Sequence, residues 1–407
     1  MGFQQGLSGL AGAARNLEVI GNNVANANTV GFKESRAQFA DMYANTLAGS
    51  TAATIGMGTR LASVAQLFTQ GNITTTNNPL DVAINGEGFY RLNNNGAITY
   101  TRNGQFALDS NGYITGAGGA RVTGYAADST GAIIAGAPAD LKIPKTDLTP
   151  KMTSKATMGV NLDSRGAILS APGFSLANAA TYNSATSIST YDSLGNSHTL
   201  STYFVKTAAN TYSVFAANDG VQVGAAAVGT LTFKPDGSID PAATTLPFSL
   251  SVPIANGAAT PMTVSLDFTG STQFGTAFSV NDSTQDGFTA GKLSGFGIGA
   301  DGVISGRYTN GQTLALGQLA LASFANSQGL APQGANQWAE SAASGAPLVG
   351  TPGSGSLGAL QSGAVEDANV DLTAELVNMI AAQRSYQANA QTIKTEDSLL
   401  QTVVNLR

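Results

Sequence analysis

Near the start of the chain, Phe3, Leu7, Leu10, Ala14, Leu17, Gly21 and Val24 follow one another at alternating steps of four and three. That spacing lays them along one stripe of an α-helix, the heptad pattern of a helix with a single apolar seam. The pattern returns at the other end through Leu376, Met379, Gln383, Tyr386, Ala390, Ile393, Asp397, Leu400 and Val404. Asp371 stands where an N-cap is expected, and Glu375 falls in the first turn, where the helix dipole favours an anion. Gln383, Gln387 and Gln391 are four apart and form an amide stripe on the same helix. The spacing predicts helices of about 25 and 35 residues at the two termini. Two packings are open to them: against each other, closing one globule, or against other copies of the chain.

The first helix carries an oddity. Asn22, Asn23, Asn26 and Asn28 crowd its end, although asparagine is a mediocre helix residue that competes for backbone hydrogen bonds. One reading is a cap, with Asn26 to Thr29 ending the helix. The other is register: a seam benefits from amides satisfied in only one alignment. Asn22, Asn23 and Asn26 would then fix the stagger between copies, or between the helix end and a turn at Gly31.

The middle of the chain reads differently. All 13 prolines lie between Pro79 and Pro352. Asn-Gly occurs at 85, 95, 103, 111, 256 and 310, and Asp-Gly at 219, 236, 286 and 301. These pairs tolerate the positive φ of type I′ turns and are strong hairpin signals. Residues 186–191 alternate polar and apolar, "DSLGNS" turns the chain, and "HTLSTYFV" alternates back. Texture changes at Ala126–Pro150 and again near Asp282–Gly299 delimit an inserted β domain at 146–284. A second β domain at 75–145 and 285–354 would carry it. The fold class expected is therefore mainly β with α-helical termini. Residues 1–35 and 365–407 form the helical part, and 36–74 with 355–364 link it to the β domains.

Composition narrows the functions. Only 11% of residues are charged and the formal net charge is −6, without any Lys/Arg cluster, which argues against nucleic-acid binding. No window approaches 18 uninterrupted apolar residues, so membrane insertion is not expected. The first cation is Arg15 and no apolar segment follows it, so a cleaved signal peptide is not expected either. Cysteine is absent, and His198 is the single histidine. A lone imidazole completes neither a metal site nor a Cys-His pair. No G-x-S-x-G elbow is present, and no glutamate lies between Glu87 and Glu340 to supply a hydrolase pair. No catalytic, metal or cofactor site is expected.

Three stretches are more specific. "GLSGLAGAARNLEVIGNNVANANTVGFKESRAQF" (6–39), "NPLDVAINGEGFYRL" (78–92) with "YTRNGQFALDSNGYIT" (100–115), and "VEDANVDLTAELVNMIAAQRSYQANAQTIKTEDSLLQTVVNLR" (365–407) resemble the flagellar rod and hook axial proteins. Length and the long middle resemble the hook branch of that family; a distal rod-type member is the alternative within it. A β-rich surface adhesin is the rival from another class, though it should carry a signal peptide and no heptad ends.

The resemblance implies paired terminal helices in an inner tube, with two β domains stacked outward. It implies a curved, hollow homopolymer in the extracellular hook, acting as a universal joint between motor and filament. The expected partners are further copies of the chain, the neighbouring rod and hook-filament junction proteins, the hook cap, and the flagellar type III export apparatus. Leu7, Leu10, Leu17, Asn22, Asn23, Val24, Asn26, Leu376, Met379, Tyr386, Ile393, Leu400 and Val404 are the expected assembly residues. Phe39 and Tyr43 resemble an aromatic export-recognition motif; the plainer reading makes them two aromatics four apart on a helix face. The helical ends are expected to order only on assembly, since isolated helices of this length are marginal in water.

Overall fold

The computed structural model describes residues 2–42 and 56–405. The chain is mostly β, with one long helix at each end: α1 (Gly2–Ala25) and α2 (Leu372–Asn405). It divides into two compact units. The first comprises Met1–Lys145, Gly295–Arg307 and Thr313–Arg407, and the second Thr146–Ser294 with Tyr308–Gln312. The inserted domain thus extends ten residues beyond the expected end at 284. Its closing strand, Ser279–Gln285, is followed by a segment that pairs with the stretch entering the domain: Phe288 with Lys151 and Gly291 with Leu148. The helical, linking and inner β segments, expected as separate domains, belong together in the first unit.

In that unit α1 is followed by a two-stranded antiparallel hairpin, β1 (Ser35–Met42) and β2 (Gly58–Gln66). The segment around Phe39 is therefore a strand, not the helix considered for the Phe39–Tyr43 pair. Its side chains are half exposed and carry no four-residue apolar repeat beyond that one pair. Tyr43 lies outside the described residues. A larger antiparallel sheet runs through Thr313–Leu319, Arg121–Ala126, Phe89–Asn94, Ala97–Thr101, Gln337–Ala339 and Ala331–Gly334. Phe68, Phe89, Phe324 and Trp338 pack edge to face on it, with centroids 5.3–5.9 Å apart. This is the geometry aromatic quadrupoles favour. The Trp338 indole donates to Gln66 Oε1 at 2.6 Å, which ties the hairpin to the sheet.

The second unit is a β-sandwich. Ser184–Tyr191, Ser197–Ala208 and Thr211–Asn218 form one antiparallel sheet, in the hairpin register the alternation around "DSLGNS" predicts. Phe248–Val252, Met262–Asp267, Lys155–Asn161 and Ser279–Gln285 form the other. Alternate residues point inward along Phe248–Val252 and Met262–Asp267, as the two-residue period of a half-buried strand requires. Leu200, Phe204, Tyr212 and Val214 meet Met158, Val160, Leu250, Val264 and Leu266 in a closed apolar core.

The turns correct one expectation. Of the ten Asn-Gly and Asp-Gly pairs, both residues have positive φ only at Asn95-Gly96 and Asp219-Gly220. At several of the others the side chain holds the turn in another form. Asp236, Asp301 and Asn310 each accept the amide two residues on through Oδ1, with the glycine alone at positive φ. Such Asx turns compete with type I′ for the same dipeptides.

Phe204 is fully buried, with its ring 5.7 Å from that of Phe268. Phe204→Ala should cost the sandwich about 3–5 kcal/mol through lost burial and a cavity. Chemical denaturation followed by circular dichroism measures it; an unchanged midpoint would mean that this core does not stabilise the unit.

Candidate assembly site

The two terminal helices pair antiparallel in the first unit. Gly2 lies against Glu396, Gly6 against Ile393 and Gly9 against Asn389, while Asn23 reaches Glu375. Numbers rise along α1 as they fall along α2. The glycines set how close the helices come: a Cβ on Gly6 would stand 3.1 Å from Ile393 Cγ1, and one on Gly9 2.6 Å from Asn389 Oδ1. Small residues at four-three spacing let the backbones approach, and Ala13, Ile20 and Asn23 continue the same face as buried residues. Two adjoining hollows of about 490 and 390 Å³ flank it, lined by Asn16, Phe39, Ala382 and Ser385 among others.

At the end of α1 the amides act. Asn23 is 1% exposed. Its Nδ2 donates to the Ser35 carbonyl at 2.8 Å and to Glu375 Oε2 at 3.3 Å, and its Oδ1 accepts the Ser35 amide at 2.9 Å. One side chain thus ties α1 to the start of β1 and to the first turn of α2. Asp371 caps that turn, accepting from the amides of Thr373 and Ala374. Asn26 bonds locally, donating to the Asn22 carbonyl at 3.0 Å and accepting from Thr29. Asn369, in the segment between Glu366 and α2, makes a similar clamp, accepting from the Glu34 amide and donating to the carbonyls of Leu67 and Thr69.

Beneath the pair lies a buried ionic cluster. Glu366 has no exposed side-chain surface and accepts from Lys33 Nζ at 2.7 Å and Arg102 Nε at 2.9 Å. Lys33 also donates to the Thr69 carbonyl, and Arg102 to those of Gly86 and Gly88. The Gly71 amide donates to Glu366 Oε1, and the Gly31 amide to its backbone carbonyl. Gly31 has φ +72°, and a Cβ there would stand 2.6 Å from the Asn103 amide nitrogen. Only glycine fits both constraints. Burial pulls the Lys33 ammonium below its ordinary value, against the pull of Glu366. For Glu366 burial works the other way, but Arg102 and Lys33 outweigh it and hold the carboxyl below its ordinary range.

The seam read from the sequence is not the buried face. Leu7 is 52% exposed and Phe3 44%, while Leu10, Leu17 and Val24 are half-buried. Asn22 is exposed and Asn26 half-buried. On α2, Met379 and Ile393 are half-buried beside α1, whereas Leu376, Tyr386 and Leu400 are exposed. Val404 lies within α2. Val377, Ile380 and Leu399 extend the bare apolar surface. Phe39 is 41% exposed on β1, facing Gly12. The reading missed the glycine face and the Lys33–Glu366–Arg102 cluster. The repeat Gly2, Gly6, Gly9 was the available signal for the face. The cluster had none beyond isolated charges inside low-charge motifs.

Glu366→Gln should destabilise the first unit by about 3–5 kcal/mol, the cost of leaving buried cations unpaired. A carboxyl depressed on folding stabilises the fold above its unfolded value of about 4.3. That contribution is lost as pH falls through the lower folded value. Urea titrations from pH 7 downward should show an acid-labile component in the parent chain that the variant lacks.

Family models match in chain order: the flagella basal body rod protein at residues 3–33, the FlgE/F/G D1 domain of flagellar hook proteins at 83–170, the FlaE D2 domain at 161–288, and the basal body rod FlgEFG C-terminal region at 361–406. The flagellar hook protein FlgE of Escherichia coli (strain K12) is 45% identical over the full length of both chains. That of Borreliella burgdorferi is 34% identical over 99% of this chain and 98% of its own. The crystal structure of Helicobacter pylori flagellar hook protein FlgE2 shares the fold at a TM-score of 0.53 and 15% identity, covering 71% of this chain and 99% of its own. With terminal helices, inner β unit and inserted sandwich all matched over its whole length, the chain belongs to the flagellar hook protein family and serves as a hook subunit.

Proposed function

We propose that the subunit polymerises head to tail into an open, curved, hollow tube that works as a universal joint. The observation that carries this is the apolar surface left on the helical pair. Leu7, Leu376, Val377, Ile380, Leu399 and Leu400 are each about half exposed or more on two packed helices. Large exposed apolar patches mark interaction sites. A patch that meets a different patch on an identical neighbour generates a filament rather than a closed ring. Apolar side chains of neighbours also have the hollows beside Phe39 and Ala382 to enter. Asn22, exposed where Asn23 is consumed within the chain, is left to align adjacent copies.

Bending asks for contacts that exchange cheaply. The sandwich is closed on its own core and its surface is poor in charge, so its contacts with other copies slide at small cost while the helices carry the continuous connection. Rod, junction and cap proteins would adjoin the ends of such a tube, and the type III apparatus would export the chain, with Phe39 and Tyr43 as the residues offered for recognition. The reading requires no catalysis.

Burying a leucine contributes about 1.5–3 kcal/mol, and each 1.4 kcal/mol is tenfold in an equilibrium constant. Leu376→Glu should therefore raise the critical concentration for tube formation about tenfold or more, read by sedimentation and negative-stain microscopy, with the far-ultraviolet circular dichroism of the monomer unchanged. Tubes forming at the parent's threshold would sink the proposal.

Helix α2 has only Glu375 and Ala382 buried among its described side chains. Its pairing with α1 within one chain meets the intramolecular alternative, yet covers little of it. Limited proteolysis of dilute monomer should remove α2 and α1 before the β units, and the same sites should resist in tubes. Equal resistance in monomer would instead favour a helical pair that is complete in one chain.

A further inference from the structure

The single histidine sits in the sandwich, away from everything used so far. His198 Nδ1 is 2.6 Å from Asp219 Oδ2, and its Nε2 is 3.2 Å from Asp192 Oδ2. The imidazole is 12% exposed and Asp192 not at all. A neutral ring has one N–H and one lone pair. Whichever nitrogen loses its proton is then set against an oxygen that has no hydrogen to give. Only the imidazolium satisfies both neighbours.

Each carboxylate is fixed as an acceptor. Asp192 receives the amides of Leu194 and Asn196 on Oδ1, and the side-chain amides of Asn196 and Asn256 on Oδ2 at 2.9 and 2.6 Å. Asp219 receives the Thr199 amide at 2.8 Å and the Asn218 side chain at 3.2 Å. The charged groups facing the ring are these two aspartates, one from the turn at 192–197 and one from the turn at 219–220. The third element packed there, the loop 253–261, brings the Asn256 amide and no charge; its Ala259 amide also donates to Ser193 Oγ at 2.8 Å. Burial opposes the proton on the ring, but Asp219 and Asp192 outweigh it, so the imidazolium persists above its ordinary range. Thr190 Oγ1 and Asn218 Oδ1, on the strands beside His198, are buried without a partner among the described residues.

We propose that His198 is a proton-operated clasp joining the turns at 192–197 and 219–220 at one end of the sandwich, closed while the ring is protonated and released as it loses its proton. The sign follows from linkage. A histidine whose folded value is raised contributes stability that is fully present below about 6.5. It is lost as pH rises through the folded value. Asp219 is the partner released, because it is 49% exposed while Asp192 keeps four other donors.

The full-length unpolymerised chain tests this directly, since histidine labelling yields one imidazole signal. Its nitrogen resonances should titrate with a midpoint above 6.5, and Asp219→Asn should lower that midpoint by about one pH unit or more. Hydrogen exchange, corrected for its intrinsic pH dependence, should show protection at Thr199 and 219–220 falling through the midpoint, with 192–197 and 254–260 unchanged. In His198→Gln that protection should not depend on pH. A midpoint at or below 6.5, no response to Asp219→Asn, or the same pH-dependent exchange in His198→Gln would each overturn the clasp. The asparagine variant keeps the test open should the glutamine variant misfold. None of these readouts depends on whether tubes form.

Discussion

The Glu366 carboxylate, buried between Lys33 and Arg102, is the contact on which the helical unit depends. Each of the three residues comes from a different part of the chain: the turn after α1, the end of the strand Ala97–Thr101, and the strand that leads into α2. Apolar surfaces alone would hold these segments together but would tolerate sliding. A buried ion cluster contributes little net stability, because desolvation offsets attraction, yet it is satisfied in one geometry. Here that geometry sets where both helices leave the β scaffold.

The two units solve the interior differently. The sandwich is built from alternating strands closed on an apolar core. The first unit places ions, amides and glycines at its centre, with aromatic packing to one side. In the first unit Asn23, Asn369 and Glu366 fix the direction of the helices through backbone atoms as well as side chains.

The sequence showed both helices plainly, because a four-three repeat over six turns has no strand counterpart. Its seam, however, is not the face buried against α2: Phe3 and Leu7 are exposed. The face turned toward α2 is made of Gly2, Gly6, Gly9 and Ala13, which carry too little apolar weight to register as a stripe. The hairpin at 184–208 was legible from alternation bounded by a turn. The strand around Phe39 was not, since its burial is partial and two aromatics four apart fit a helix equally well. Lys33, Arg102 and Glu366 are separated by 69 and 264 positions, and only the folded chain shows that they meet. Asn23 was singled out for alignment, but that its amide bonds to Ser35 and Glu375 within the chain was not legible in the sequence.

The helices are unequal, and the pairing makes that matter. Gly2 lies against Glu396, so residues 397–405 of α2 run past the first described residue of α1. At 1.5 Å per residue this overhang is about 13 Å long, and it carries the bare side chains of Leu399 and Leu400. An antiparallel pair with flush ends would look alike from top and bottom. This one has a blunt end and a projecting end, so the pair has a direction of its own along its axis.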